Sequence, residues 1–277
     1  MLILAIETSN PTLPAPAMTG VCVGRIDPAD PARGVIAEVR CEVLGQATLA
    51  PLEETGRDRD DLLPCIQRAM SAAAIKPRDL DAIAVSVGPG GFAALRMAVA
   101  AAKLMAEAAG AQRGAPLLCV GVPTAAVVRV GAVLDGTVDA SLSAWVALGA
   151  KGESVYLTTF GPLTNANALA QATANAAPVD KVESIGLTTA GGPIFAGALL
   201  GDKHTPAWLI AHARTADVHH RGTPCPIFSN ASPRACLIAS AWYPRIDPVE
   251  LLPLYGREPE AVSLWRKLHP RSAGPAA

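Results

Sequence analysis

The chain has 277 residues, of which 51% are hydrophobic and 17% charged, with a formal net charge of −1. That is long enough for two ordinary domains and too apolar for a disordered chain. The charge balance supplies no excess for holding a phosphate backbone, so any nucleic acid would have to be held with another protein's help.

The predicted elements begin with three strands. Leu2 to Thr8 is short and apolar and reads as a buried strand. A polar, proline-rich break from Ser9 to Met18 precedes a second strand at Thr19 to Gly24. A third region lies within Val35 to Leu49. Turns this close together suggest antiparallel pairing. Asp60 to Ala74 has apolar residues at helical spacing, with Pro64 in the tolerant first turn. Asp58, Asp60 and Asp61 suit the positive end of that helix. Ala82 to Val87 is the next strand. A helix from Phe92 to Ala109 follows, with Gly110 as its expected cap. Leu117 to Val120 is a strand, and Pro123 sits at the first position of a helix reaching about Val133.

Three opening strands followed by helix–strand–helix–strand–helix describe a mixed sheet with helices packed on it. The second half is less periodic. Ala144 to Leu148 and Ser154 to Phe160 form a hairpin, 161–179 reads as an exposed insertion, and Ser184 to Thr188 is a strand. Ala190 to Phe195 reads as a glycine turn before a short helix. Ser232-Pro233 caps a further helix.

The densest signal lies between the fourth strand and its helix: Gly88-Pro89-Gly90-Gly91-Phe92. Three glycines and a proline at a helix start either gather free N–H groups around an anion or let two elements pack closely. The sequence leaves both readings open. Around this turn, reactive groups are sparse. His204, His212, His219, His220 and His269 form no H-x-x-x-H pair, and His219-His220 reads as a solvated loop. No Gly-Lys-Ser/Thr and no G-x-S-x-G occurs. Glu7, closing the first strand, reads either as a carboxylate for metal or water chemistry or as a residue with a structural or interface role. The six cysteines, at 22, 41, 65, 119, 225 and 236, sit in apolar runs without a C-x-x-C and read as small buried hydrophobes.

No targeting segment is expected, since no basic region precedes the short apolar start. The longest apolar windows are broken by Arg96, Lys103 and Glu107 or by Pro123 and Arg129, so no membrane span is expected. A cytoplasmic location follows as the expectation.

Leu4-Ala-Ile-Glu-Thr-Ser9, Leu62-Leu-Pro64, Val87-Gly-Pro-Gly-Gly-Phe-Ala-Ala-Leu-Arg96 and Pro253-Leu-Tyr-Gly-Arg-Glu-Pro259 together resemble the TsaB (YeaZ) family. They do so in order and over nearly the whole chain. The Ser-Phe-Thr-Gly of the family's G-P-G-S-F-T-G is Gly91-Phe92-Ala93-Ala94 here. Its D-A-R-x-G-E-V-Y hairpin survives only as Gly149 to Tyr156. Residues 10–18 and 161–180 look like insertions, so the chain resembles a divergent member.

The resemblance implies an α/β fold of the actin/Hsp70-like (ribonuclease-H-like) kind, with mixed sheets, flanking helices and two related domains, 1–116 and 117–277. It implies a non-catalytic subunit supporting a TsaD-like transferase, which makes threonylcarbamoyladenosine at position 37 of tRNA, with a TsaE-like ATPase as third member. ATP and metal would then sit on the partner subunits, with none bound by this chain alone. It would meet tRNA only through the complex, and a homodimer in the partner's absence stays open.

Leu62, Leu63, Ile66, Phe92, Leu95, Ala98, Val99 and Ala101 are the expected interface, because small residues let a partner helix come close. The same residues could instead be internal core. Glu7, Gly88, Gly90 and Gly91 are the weaker, cofactor-side candidates. The competing expectation is a stand-alone enzyme of the same fold, an ATP-dependent small-molecule kinase or carbamoyl transferase. A peptidase is disfavoured for want of an activated nucleophile.

Overall fold

The computed structural model describes residues 1–9, 19–27, 39–49, 62–136, 138–141, 144–149, 155–160, 163, 187–189, 192–193, 208–212, 219–220, 223–224, 227–229, 231–255 and 260–269. The expected insertions at 10–18 and 161–180 and the acidic residues 58, 60 and 61 lie outside these, apart from Leu163, which is buried rather than exposed.

Strands β1 (Leu2–Glu7), β2 (Gly20–Ile26), β3 (Cys41–Thr48), β4 (Ala82–Gly88) and β5 (Leu118–Pro123) form one sheet in the order β3-β2-β1-β4-β5. The first three strands pair antiparallel, whereas β1, β4 and β5 run parallel. The crossovers between the parallel strands are helical. Helix α1 (Leu62–Ala72) lies between β3 and β4, and α2 (Phe92–Arg113) between β4 and β5. Helix α3 (Thr124–Leu134) follows β5.

Both faces of this sheet are covered, which explains the unbroken apolar reading of its central strands. Leu4, Ile6, Ile83 and Val85 face α1 and α2. Ile3, Ala5, Ala82 and Ala84 face α3 and the short helix α4 (Pro233–Ala239). Ser232 caps α4 as expected, its hydroxyl accepting the Ala235 N–H at 3.1 Å.

A second sheet has the order β13-β10-β6-β7, built from β6 (Ala144–Gly149), β7 (Val155–Phe160), β10 (Trp208–His212) and β13 (Ile227–Ser229). The expected hairpin is its antiparallel β6–β7 pair. A small third sheet joins β8 (Leu187–Thr189), β9 (Gly192–Pro193), β11 (His219–His220) and β12 (Thr223–Pro224). Two expectations change here. Gly192-Pro193 is strand rather than turn, and His219-His220 pairs on both sides rather than lying in a loop.

Helix α3 touches both large sheets, so nearly all its residues are buried, Arg129 included. The Arg129 guanidinium donates to the Asp139 carbonyl at 3.3 Å.

Two boundaries move. Helix α2 runs one turn past Gly110 and stops at Gly114, whose φ of 69° is left-handed. Ala111, Gln112 and Arg113 are good helix formers, and glycine adopts the left-handed cap without a Cβ penalty. Pro123 ends β5 and precedes α3 rather than opening it. A domain boundary at 116 would detach β5 from a sheet to which it is hydrogen-bonded along most of its length. The first unit therefore extends through Pro123 and takes α4 from near the C-terminus as part of its cover. No helix among the described residues is long and apolar enough to cross a membrane.

Candidate functional site

The parallel strands place Glu7, Ser86 and the 88–91 turn at one end of the sheet. Glu7 is wholly buried. Its Oε1 accepts the Ser9 backbone N–H at 2.6 Å and the Ser9 hydroxyl. Its Oε2 has no hydrogen bond among the described residues. The Ser86 hydroxyl is engaged with Thr124 Oγ1 at 2.9 Å. Burial raises the Glu7 pKa above the ordinary carboxylate value, and the hydrogen bonds from the Ser9 hydroxyl and backbone N–H offset part of that rise.

A carboxyl raised in the folded state binds its proton more tightly folded than unfolded. Its contribution to stability is therefore greatest below the ordinary carboxylate pKa and falls as pH rises towards the folded value. Glu7→Gln keeps the Oε1 acceptor and removes the charge. The variant should gain stability relative to wild type on going from about pH 4 to about pH 7. Urea midpoints at several pH values check this, and a constant difference would refute it.

The glycine turn is filled by the chain itself. Gly88 has φ +114°, and a Cβ there would lie 2.4 Å from the Leu254 carbonyl oxygen. A Cβ at Gly90 would lie 2.4 Å from the Ser9 carbonyl oxygen. The Gly91 N–H, at the mouth of α2, donates to that same Ser9 oxygen at 2.7 Å. Of the two readings of this turn, close packing is the one its geometry supports. The glycines make room for two backbone segments, and the leading N–H is already satisfied.

One of those segments is the stretch 246–255, which straps the first sheet. Ile246 pairs with Cys119 of β5 through hydrogen bonds of 2.9 and 2.8 Å. Leu251 is buried, and the Leu254 N–H donates to the Val87 carbonyl at 2.7 Å. Lys103 Nζ donates to the Val249 carbonyl at 3.0 Å. At the far end, Arg96 Nε donates to the Tyr255 hydroxyl at 3.0 Å, and its guanidinium lies 4.1 Å from the Phe92 ring centroid. The Phe92 and Tyr255 rings are 4.6 Å apart. Tyr255→Ala should loosen the strap at a cost of about 1–2 kcal/mol, less than the full sum of an aromatic pair and a charge-assisted hydrogen bond because Phe92 and Arg96 are exposed. Faster amide exchange at Leu254 would show it; unchanged protection would not fit.

The expected interface residues divide. Leu63 and Phe92 are exposed, by 61% and 41%. Leu62, Ile66, Leu95, Ala98, Val99 and Ala101 are buried among the chain's own strands and helices. For these six, the internal-core reading is the one observed. Helical spacing puts Ala94, Leu95, Ala98 and Ala102 on the sheet side and Ala93, Met97, Ala100 and Leu104 opposite. Sequence reading missed Met97 and the strap residues, because alanines on all sides of α2 leave no contrast to show its inner face.

Four described cysteines are buried and Cys41 is half-buried. Burial pushes the Cys119 thiol up to about 11, so it is not a ready nucleophile. Among the described residues no group of three or more His, Cys, Asp or Glu side chains is arranged to hold a metal ion.

A family model described as TsaD: tRNA N6-adenosine threonylcarbamoyltransferase matches residues 51–196, more than half the chain. An uncharacterized protein of Mycobacterium tuberculosis is 27% identical over 248 residues, which is 86% of this chain and 93% of that protein. One from Mycobacterium bovis matches to the same extent. Among solved structures, YeaZ from Pseudomonas aeruginosa aligns with a TM-score of 0.52 at 17% identity, over 92% of this chain and 100% of that one. A structure described as an uncharacterized protein with similarity to peptidase YEAZ, also from Pseudomonas aeruginosa, gives 0.52 at 17%, covering 92% and 99%. These likenesses show the fold, which is the actin-like one expected. With the family model matched over more than half its length and the YeaZ fold over most of it, the chain belongs to the TsaD/glycoprotease family, as a divergent TsaB-like member.

Proposed function

We propose that the chain is a non-catalytic partner subunit in threonylcarbamoyladenosine modification of tRNA, supporting a TsaD-like transferase. The observation that carries this reading is the closure of the glycine turn. Where an enzyme of this fold would open backbone N–H groups to a phosphate, Ser9 and Leu254 fill the space. Among the described residues only Glu7 of the expected reactive groups lies there, and it is buried behind Ser9. On this reading ATP and metal belong to the partner subunits, among them a TsaE-like ATPase. The chain meets tRNA only within the cytoplasmic complex.

The outer face of α1 and α2 supports a docking role. It exposes Leu63, Phe92, Met97 and Leu104 on two neighbouring helices covering one side of the sheet. Apolar side chains in such number on one face mark an interaction site.

The test is co-purification of the full chain with the TsaD-like protein of the same genome. Transferase activity on tRNA is then assayed with and without the chain. Activity should depend on it, and Leu63→Glu should weaken the pairing without lowering thermal stability. Calorimetry with ATP and Mg²⁺ on the chain alone separates the competing enzyme reading. Micromolar binding, about −8 kcal/mol, would favour that reading instead.

A further inference from the structure

Beyond the strap lies a further helix, α5 (Glu260–Leu268). Every side chain described on it, at 262 and 264–268, is exposed. Helical spacing puts Leu264, Trp265 and Leu268 on one face, exposed by 54%, 64% and 66%, with Lys267 on the other. A helix of nine residues does not hold itself together in water, since isolated helices shorter than about 12–15 residues are marginal even when rich in alanine. The apolar face of α5 therefore needs a surface to rest on.

The point from which the chain delivers α5 selects that surface. Tyr255, five residues before α5 begins, is fixed to the start of α2. Its hydroxyl accepts from Arg96 at 3.0 Å, and its ring lies 4.6 Å from that of Phe92, both of them exposed residues. Five residues span at most about 18 Å, so α5 starts within that reach of the outer side of α2. Among the described residues, five large apolar side chains outside the strap and α5 are exposed. Four of them, Leu63, Phe92, Met97 and Leu104, lie on α1 and α2, and the fifth is Val43 of β3. The exposed row Ala93, Met97, Ala100 and Leu104 alternates small and large side chains, which lets a second helix settle close. That row is about 16 Å long, against about 13 Å for α5. Two apolar faces joined by so short a tether meet at an effective concentration on the order of millimolar.

We infer that α5 is a lid, which closes over the outer face of α1 and α2 and lays Leu264, Trp265 and Leu268 against Met97 and Leu104. The structure holds its open state. This rests on the partner-subunit reading above, because the face under the lid is the one proposed for docking. It adds a regulation of that face by the chain itself. A partner has to displace α5, so its apparent affinity scales with the fraction of molecules that are open.

The first measurement uses the full chain alone. Subtracting the spectrum of Trp265→Phe from that of wild type isolates the Trp265 emission from that of the chain's other tryptophans. Under a closed lid this emission is blue-shifted and resists acrylamide, and Leu104→Glu, at a site that is 72% exposed, shifts it to the red. Red, fully quenched emission in wild type and variant alike overturns the lid. Emission that turns blue only as protein concentration is raised makes a second copy the occupant, and emission that does so only on phosphatidylglycerol vesicles makes it a lipid surface; either overturns the inference. The second measurement is binding of full-length Leu268→Glu to the TsaD-like protein of the same genome. It should be at least about threefold tighter than wild type, because the lid is open. Equal or weaker binding overturns the inference and leaves the partner-subunit reading intact. If neither chain binds the TsaD-like protein, the partner-subunit reading fails, and the Trp265 emission alone decides whether the lid closes.

Discussion

Ala98→Glu should abolish folding. Ala98 is completely buried on the inner side of α2, in the apolar cluster that includes Leu4, Ile6, Val85 and Met70. A glutamate there overfills a close-packed site and strands a carboxylate away from water. The two effects together cost about 4–8 kcal/mol, against a total stability of about 5–15 kcal/mol. Ala100→Glu, two residues along and exposed, should shift stability by no more than about 0.5 kcal/mol. Soluble yield and denaturant midpoints distinguish the pair. The result matters because Ala98 and Ala101 were expected on a partner face. A loss of binding in a variant at Ala98 or Ala101 would report a collapsed core, so docking must be probed at Leu63 or Leu104. An Ala98→Glu protein as stable as wild type would place α2 in the wrong rotation about its axis.

The second large effect is expected at the glycine turn. Gly88→Ala meets a φ of +114° and a carbonyl oxygen 2.4 Å from the new Cβ. The conformation costs about 1–3 kcal/mol and the overlap about as much again. The obstructing oxygen belongs to Leu254, so the strap is the part that yields. Protease cleavage within 246–255 should rise sharply while the first sheet stays folded. Gly114→Ala makes the comparison: its φ is +69° with open space around it, so only the left-handed penalty of about 1–2 kcal/mol applies. Equal losses at the two positions would show that the Leu254 contact is unimportant.

Part of this architecture is legible along the chain. The central strands are apolar on both faces, and glycine and proline break the chain where it must turn. The predicted order of strands and helices through α3 is therefore the observed one. The reduced chemistry is legible too, since histidine spacing and the lack of a phosphate-loop lysine are local facts. What stayed hidden depends on contacts distant in sequence. Ser9 and Leu254 both reach the 88–91 turn, from opposite ends of the chain. Nothing within the turn's own residues says whether its glycines admit a phosphate or a neighbouring backbone.

The sequence by itself determined the two-sided central sheet, the helical crossovers and the scarcity of reactive groups, because each follows from hydrophobic period, turn residues and side-chain type. Tertiary structure alone decided which face of α2 looks outward, where the first unit ends, and that a distant strap closes the turn. The reason is physical. Alanine fits a core and a surface equally well, so a helix rich in it is oriented only by the larger side chains that surround it once the chain has folded.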